Sequence, residues 1–267
     1  LILGTQKGGT SSLFGYLAAL PGVLAPDTKE IQYFSEMLFP NSYRLLGTGW
    51  YRSNFPLRSE LRNAGAITGE ATPRYMVEQL AMTRISYDLP DSRWIIVLRD
   101  PIERALSHHG MYVSHGYEQR SAAEALADNL RALSKSPGKL DPPSPSSGHL
   151  GDYIERGCYE KQLSFIAQLR PGTPTLVVFS ENLFANDAES LSLLHSFLGL
   201  SEPAPSEFSW LNRGQRSAPL DPETLERLEA YFSARNAGLS ELLQSDQFLT
   251  IDPDRWPDWM QRLRTMS

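Results

Sequence analysis

The chain has 267 residues, 41% of them hydrophobic and 21% charged, a composition that carries a packed core and excludes a disordered polymer. Its 25 basic side chains against 31 acidic ones leave a formal charge of −6. That balance excludes a general nucleic-acid binder, which draws most of its attraction from a basic face, so any anion site must be local.

The chain opens on a short apolar run, Leu1 to Leu3, that ends in Gly4 and is followed by the turn Thr5-Gln6-Lys7-Gly8-Gly9. Thr10, Ser11 and Ser12 offer helix caps, and apolar residues at 13, 14, 17 and 20 have helical spacing. This predicts strand, glycine-rich loop, helix. Pro21-Gly22 closes the helix, Val23-Leu24 extends again, and Ile31 to Phe34 follows the polar stretch Asp27 to Glu30. Trp94 to Leu98 is an unbroken apolar strand, as expected where helices cover both faces of a parallel sheet. Pro101 then starts a helix through Ala105 and Leu106, since its missing N–H would have no partner there anyway.

Residues 134 to 148 carry four prolines and several serines and read as a surface loop or lid. A third strand, Thr175 to Phe179, leads into Ser180-Glu181-Asn182-Leu183 and a helix around Leu191 to Leu198. Pro222 to Leu243 reads as one closing helix. The alternation predicts an α/β protein: a single domain over 1–267 with a central parallel sheet flanked by helices.

One cysteine, Cys158, cannot close an internal disulfide and favours a reducing, cytoplasmic compartment. No run approaches the roughly 20 apolar residues of a membrane span, and no signal-peptide pattern leads the chain. The expectation is a soluble domain excised from a longer chain, since the sequence does not start with Met. Its oligomeric state stays open.

The first candidate site is Gly4 to Ser12. Glycines admit backbone amides to a ligand, the following helix presents unpaired N–H groups, and Lys7 adds a full charge, an assembly suited to a phosphate or sulfate group. A P-loop nucleotide kinase or ATPase is the rival reading. That pattern places its lysine after the last glycine, whereas Lys7 precedes Gly8 and Gly9. A second candidate is Arg99, a charged fork at the end of the central strand, with Ser107 two helical turns further on.

Lys7-Gly8-Gly9-Thr10-Ser11-Ser12 resembles the 5′-phosphosulfate loop of sulfotransferases that use PAPS (3′-phosphoadenosine 5′-phosphosulfate). Leu98 to Ser107 is similar to that family's 3′-phosphate element, in which an Arg at the strand end and a Ser eight residues later hold the phosphate. Other segments resemble the heparan-sulfate-type carbohydrate branch. Lys29-Glu30-Ile31-Gln32-Tyr33-Phe34 is similar to the segment that carries its general base, and Glu70-Ala71-Thr72-Pro73-Arg74-Tyr75 to a Glu-Lys-Thr/Ser-Pro-x-Tyr motif. Gly157-Cys158-Tyr159 resembles its post-loop helix, and Arg213-Gly214-Gln215-Arg216 a Lys-Gly-Arg loop that closes over the nucleotide. Where the branch has Lys, this chain has Ala71, so a cation at the reacting centre is missing and heparan sulfate is a disfavoured acceptor. Arg74 is near enough in sequence to replace it.

The resemblance implies a P-loop-like PAPS sulfotransferase fold and in-line transfer of the sulfuryl group, with PAP as the other product and no metal. It implies an acceptor hydroxyl on a sugar by preference, then on a lipid or polyketide, or on a small-molecule or carrier-bound acceptor. Lys7 and the loop amides would stabilise the leaving oxygen, and Glu30 would take the acceptor proton. His108 and His109 compete for that role because a neutral imidazole suits base work near pH 7. Tyr159 is a candidate contact to nucleotide or acceptor, Glu70 a candidate support for the first loop or for Arg99. Trp210, Trp256 and Trp259 either line an acceptor cleft or anchor closing helices.

Overall fold

A computed structural model describes residues 1–36, 41–135, 152–200, 208, 211 and 219–266. In chain order the elements are β1 (Ile2–Gly4), α1 (Thr10–Ala18), α2 (Ser42–Ser53), α3 (Arg58–Ala64), α4 (Gln79–Asp88) and β2 (Ile95–Leu98). They continue with α5 (Pro101–Ser114), α6 (Ala122–Lys135), α7 (Tyr159–Leu169), β3 (Thr175–Phe179), α8 (Ser180–Phe184) and α9 (Ala188–Leu198). Last come α10 (Pro222–Arg235), α11 (Leu239–Leu243), β4 (Phe248–Leu249) and α12 (Asp258–Met266).

The four strands form one parallel sheet in the order β1-β2-β3-β4, with Ile95 to Leu98 running residue for residue beside Leu176 to Phe179. Because strand side chains alternate in direction, β2 and β3 feed two cores. Ile96, Leu98, Val177 and Phe179 face an aromatic layer with Tyr33, Phe34, Tyr75 and Trp259, while Ile95, Val97, Leu176 and Val178 meet Leu13, Leu17, Leu194 and Leu198 on the other side. A third cluster joins α5, α6 and α10 through Ala105, Leu126, Leu228 and Phe232. The α/β layering expected from the sequence is therefore present, with every described strand parallel.

Two boundaries differ from expectation. The closing helix is two helices, because Asn236 is fully buried and its amide clamps the start of α7: Oδ1 accepts from the Glu160 N–H at 3.2 Å and Nδ2 donates to the Gly157 carbonyl at 3.0 Å. Ser134 and Lys135 belong to α6; the rest of the proline-rich stretch lies outside the described residues.

Candidate active site

Parallel pairing brings the carboxyl ends of β1, β2 and β3 to one rim, and the segment after each strand carries a charged side chain: Lys7, Arg99 and, in the first turn of α8, Glu181. The first loop folds back on the sheet, its Thr5 N–H donating to the Val97 carbonyl at 2.8 Å and its Gly8 N–H to the Thr5 carbonyl at 2.9 Å. Glycine is required at position 8, because a Cβ there would stand 2.8 Å from the Val97 oxygen. Gly9, at φ 99°, is the N-cap of α1. Lys7 itself adopts a left-handed backbone, φ 68°, a conformation that costs a non-glycine residue about 1–2 kcal/mol.

Arg99 offsets that cost. Its Nη1 donates to the Lys7 carbonyl at 3.1 Å, so the two residues singled out as separate anion elements are directly joined. Burial, then the charges of Arg99 and Lys29, hold the Lys7 ammonium below the usual lysine range. Arg99 also lies 3.5 Å from Glu103, one turn along α5. Its neighbour Asp100 caps α5 by accepting from the Ile102 and Glu103 N–H groups at 2.8 and 3.1 Å, with Pro101 behind it, as its position predicts. Glu181 completes the rim by accepting the Asp100 N–H at 2.8 Å. Sequence reasoning did not assign Glu181 a role; the available signal was its place directly after a parallel strand.

Other candidate residues are placed differently from one another. Thr10 is buried and Ser11 half-buried in the first turn of α1, and Ser107 is half-buried in α5. Ser12 is buried, and its hydroxyl accepts from the Leu211 N–H at 2.9 Å, which ties it to a neighbouring segment. Tyr159 is fully buried in the aromatic core, and its hydroxyl donates to the Arg99 carbonyl at 2.7 Å. It is a support beneath the strand end rather than a surface a nucleotide reaches. Arg213, Gly214, Gln215 and Arg216 lie outside the described residues, as does Trp210. Trp256 and Trp259 are buried against Phe179, which makes them anchors of the C-terminal segment.

Glu30 sits on a segment anchored from below. Tyr33 and Phe34 are buried, and Tyr33 stacks on Tyr51 with centroids 5.2 Å apart. The Glu30 carboxylate is 38% exposed, paired with Lys29 at 2.7 Å and 3.5 Å from the Gln32 amide nitrogen. Glu70, expected to serve the first loop or Arg99 with its side chain, instead holds this segment. Its carboxylate accepts from the Ile31 N–H at 3.2 Å, Thr72 Oγ1 at 2.6 Å, Tyr51 Oη at 2.9 Å and Tyr75 Oη at 3.3 Å. Burial pushes its pKa up, against the lowering effect of the Thr72, Tyr51 and Ile31 donors. Ala71 is buried in the sheet core and does not face the rim.

Glu70→Ala therefore strands several buried donors. It is expected to lower stability by on the order of 3 kcal/mol, read by urea unfolding. A stability change within about 0.5 kcal/mol would show that the carboxylate does not organise the segment.

Of the histidine candidates, His109 is buried with Nε2 bonded to the Arg120 carbonyl at 3.0 Å, and its ring lies 5.8 Å from Tyr153. His108 is buried, and burial, followed by Arg156, Arg104, Lys7 and Arg74, drives its pKa well below the ordinary value, so the ring is neutral. Arg74 is half-buried within electrostatic reach of Arg156 and Glu30.

The rim thus carries a basic loop after β1 and an Arg-Asp-Pro helix entrance after β2. The crystal structure of a sulfotransferase from Alicyclobacillus acidocaldarius matches with a TM-score of 0.63 at 25% identity, over 91% of this chain and 94% of that one. In sequence, 213 residues, 80% of the chain, are 30% identical to heparan sulfate glucosamine 3-O-sulfotransferase 3A1 of Mus musculus, and the chain spans 48% of that protein's length. A stretch of 109 residues is 38% identical to the membrane-associated sulfotransferase kil1 of Dictyostelium discoideum, covering 41% of this chain and 22% of that protein. No family model matches. By fold and by sequence the chain is similar to sulfotransferases, with relatives of the heparan-sulfate type among them, the resemblance its two anion motifs carry. Among the described residues no helix is long and apolar enough to cross a membrane.

Proposed function

We propose that this chain transfers the sulfuryl group of PAPS to an acceptor hydroxyl and releases PAP. The observation that carries the proposal is the bond from Arg99 Nη1 to the Lys7 carbonyl, which sets the two anion elements side by side on the sheet's rim. The residues fit such a donor: position 8 has no room for a side chain, and no ion pair among the described residues neutralises Lys7. PAPS, when bound, supplies an activated sulfuryl group.

Lys7 and the amides of residues 9 to 12 hold the phosphosulfate end and stabilise charge on the leaving oxygen, with Gly8 giving the loop its close approach. Arg99 and Ser107 hold the 3′-phosphate, and the resemblance adds Arg213 to Arg216, outside the described residues, as further nucleotide contacts. Glu30 takes the proton of the attacking hydroxyl, and Lys29 orients the carboxylate by its 2.7 Å contact. The names of the heparan sulfate relatives support a sugar hydroxyl as acceptor, with a lipid, polyketide or carrier-bound hydroxyl next. The single cysteine, Cys158, supports a reducing, cytoplasmic setting as part of the same proposal.

Calorimetric titration with PAP and with ATP plus magnesium tests the reading. Metal-independent PAP binding is expected. Binding of ATP that needs magnesium, without PAP binding, would move the chain to nucleotide kinase or ATPase chemistry.

A further inference from the structure

β2 and β3 run side by side as far as Leu98 and Phe179, and there the ladder ends. The next peptide group of that chain end, between Arg99 and Asp100, lies past the ladder, yet both of its polar atoms are bonded. Its carbonyl accepts from Tyr159 Oη at 2.7 Å, and its N–H donates to Glu181 Oε1 at 2.8 Å. The two side chains come from the start of α7 and the first turn of α8, 60 residues after Arg99 and 81 after Asp100. Tyr159 is fully buried, and Glu181 Oε2 is enclosed without a hydrogen-bond partner among the described residues. Enclosing a carboxyl costs free energy, which points to a task for the oxygen that is bonded. Burial pushes the Glu181 pKa up, and the Asp100 N–H is the first of the groups that pull it back.

The clamped peptide is the mount of the Arg99 side chain. With Leu98 held in the sheet on one side and this peptide held on the other, the Cα–Cβ bond of Arg99 keeps one direction. Asp100 is fixed as well, since its Oδ1 accepts from the Ile102 and Glu103 N–H groups at 2.8 and 3.1 Å. From that mount the guanidinium reaches the Lys7 carbonyl at 3.1 Å and lies 3.5 Å from Glu103. Only 16% of the Arg99 side chain is exposed, so a ligand meets it over a small area. Its aim then decides whether the contact forms, and the aim comes from the groups behind it.

We propose that Glu181 and Tyr159 are positioning residues that aim Arg99 at the 3′-phosphate, and that through this aim they set the chain's preference for a nucleotide bearing that phosphate over one without it. The inference rests on the donor reading above, which assigns the 3′-phosphate to Arg99. Neither side chain has to touch the ligand. A carboxylate in contact with the phosphate would repel it, whereas one bonded to the Asp100 N–H acts through the peptide and leaves the guanidinium to meet the anion.

Calorimetric dissociation constants for PAP and for adenosine 5′-phosphate, which lacks the 3′-phosphate, test this on the whole chain. The wild type is expected to favour PAP. Glu181→Ala is expected to weaken PAP binding about tenfold or more and adenosine 5′-phosphate binding by no more than about twofold, so that the preference narrows. Glu181→Gln keeps an acceptor oxygen at the same reach and is expected to restore most of the preference. Tyr159→Phe keeps the ring in the core, removes the bond to the Arg99 carbonyl and is expected to narrow the preference in the same way; it decides the matter should Glu181→Ala not fold. Equal losses for the two nucleotides, or a wild-type preference in both variants, overturn the positioning role and leave the donor reading standing. A wild type that shows no preference for PAP overturns the donor reading and this inference with it.

Discussion

Glu30→Gln is expected to lower sulfuryl transfer by about 10²- to 10⁴-fold, the span that a positioned general base supplies, while PAP affinity stays at the wild-type level. The side chain is held for that task from two directions. Lys29 fixes one carboxylate oxygen at 2.7 Å, and the Ile31 N–H bond to buried Glu70 fixes the backbone one residue away. Glutamine keeps the size and loses the basicity, so single-turnover transfer of labelled sulfate at fixed PAPS separates chemistry from donor binding. Persisting transfer would pass the role to His108 or His109. Neither is well placed for it: both rings are buried, and His109 Nε2 is bonded to the Arg120 carbonyl.

What the sequence made legible follows from how local each signal is. The loop at Lys7 to Ser12 and the Arg99-Asp100-Pro101 helix entrance are contiguous motifs that each follow a hydrophobic strand, and the second is also marked by its Asp100 cap; the first helix has Gly9 as N-cap, with no capping bond from the side chains of Thr10, Ser11 or Ser12. The core strands β2 and β3 were visible because both faces are buried, which leaves an unbroken apolar run. β4 is two residues long, Phe248 and Leu249, too short for any periodicity. The break at Asn236 was hidden because it answers to α7, which lies more than 60 residues earlier in the chain.

The same distance rule separates the site residues. Arg99 could be recognised from its neighbours, but its bond to the Lys7 carbonyl spans 92 positions and needs the sheet to close first. Glu70 carried a motif, yet its partners Ile31 and Tyr51 come from two other segments, so its true object could not be read from position. Tyr159 was legible only through the resemblance of Gly157-Cys158-Tyr159; packing shows that its hydroxyl donates to the Arg99 carbonyl.

Lys7→Ala is expected to raise the barrier to transfer by about 2–4 kcal/mol, the scale of losing one donor aimed at developing charge, with little change in melting temperature. Folding is insensitive because the tie to the rest of the rim runs through the Lys7 backbone carbonyl, which accepts from Arg99 whatever the side chain. The ammonium, by contrast, is held half-buried beside Arg99 and Lys29, and burial with those charges lowers its pKa from the ordinary 10.5. An incoming phosphosulfate reverses that penalty, so binding favours the protonated lysine. As pH rises through the lowered pKa, the free site sheds its proton and PAP affinity falls, beginning below the range of a surface lysine. Lys7→Arg stays protonated and should shift this limb upward, even where the longer fork costs turnover. Wild-type turnover and PAP affinity in Lys7→Ala would put the loop outside the reaction, and the donor assignment would go with it.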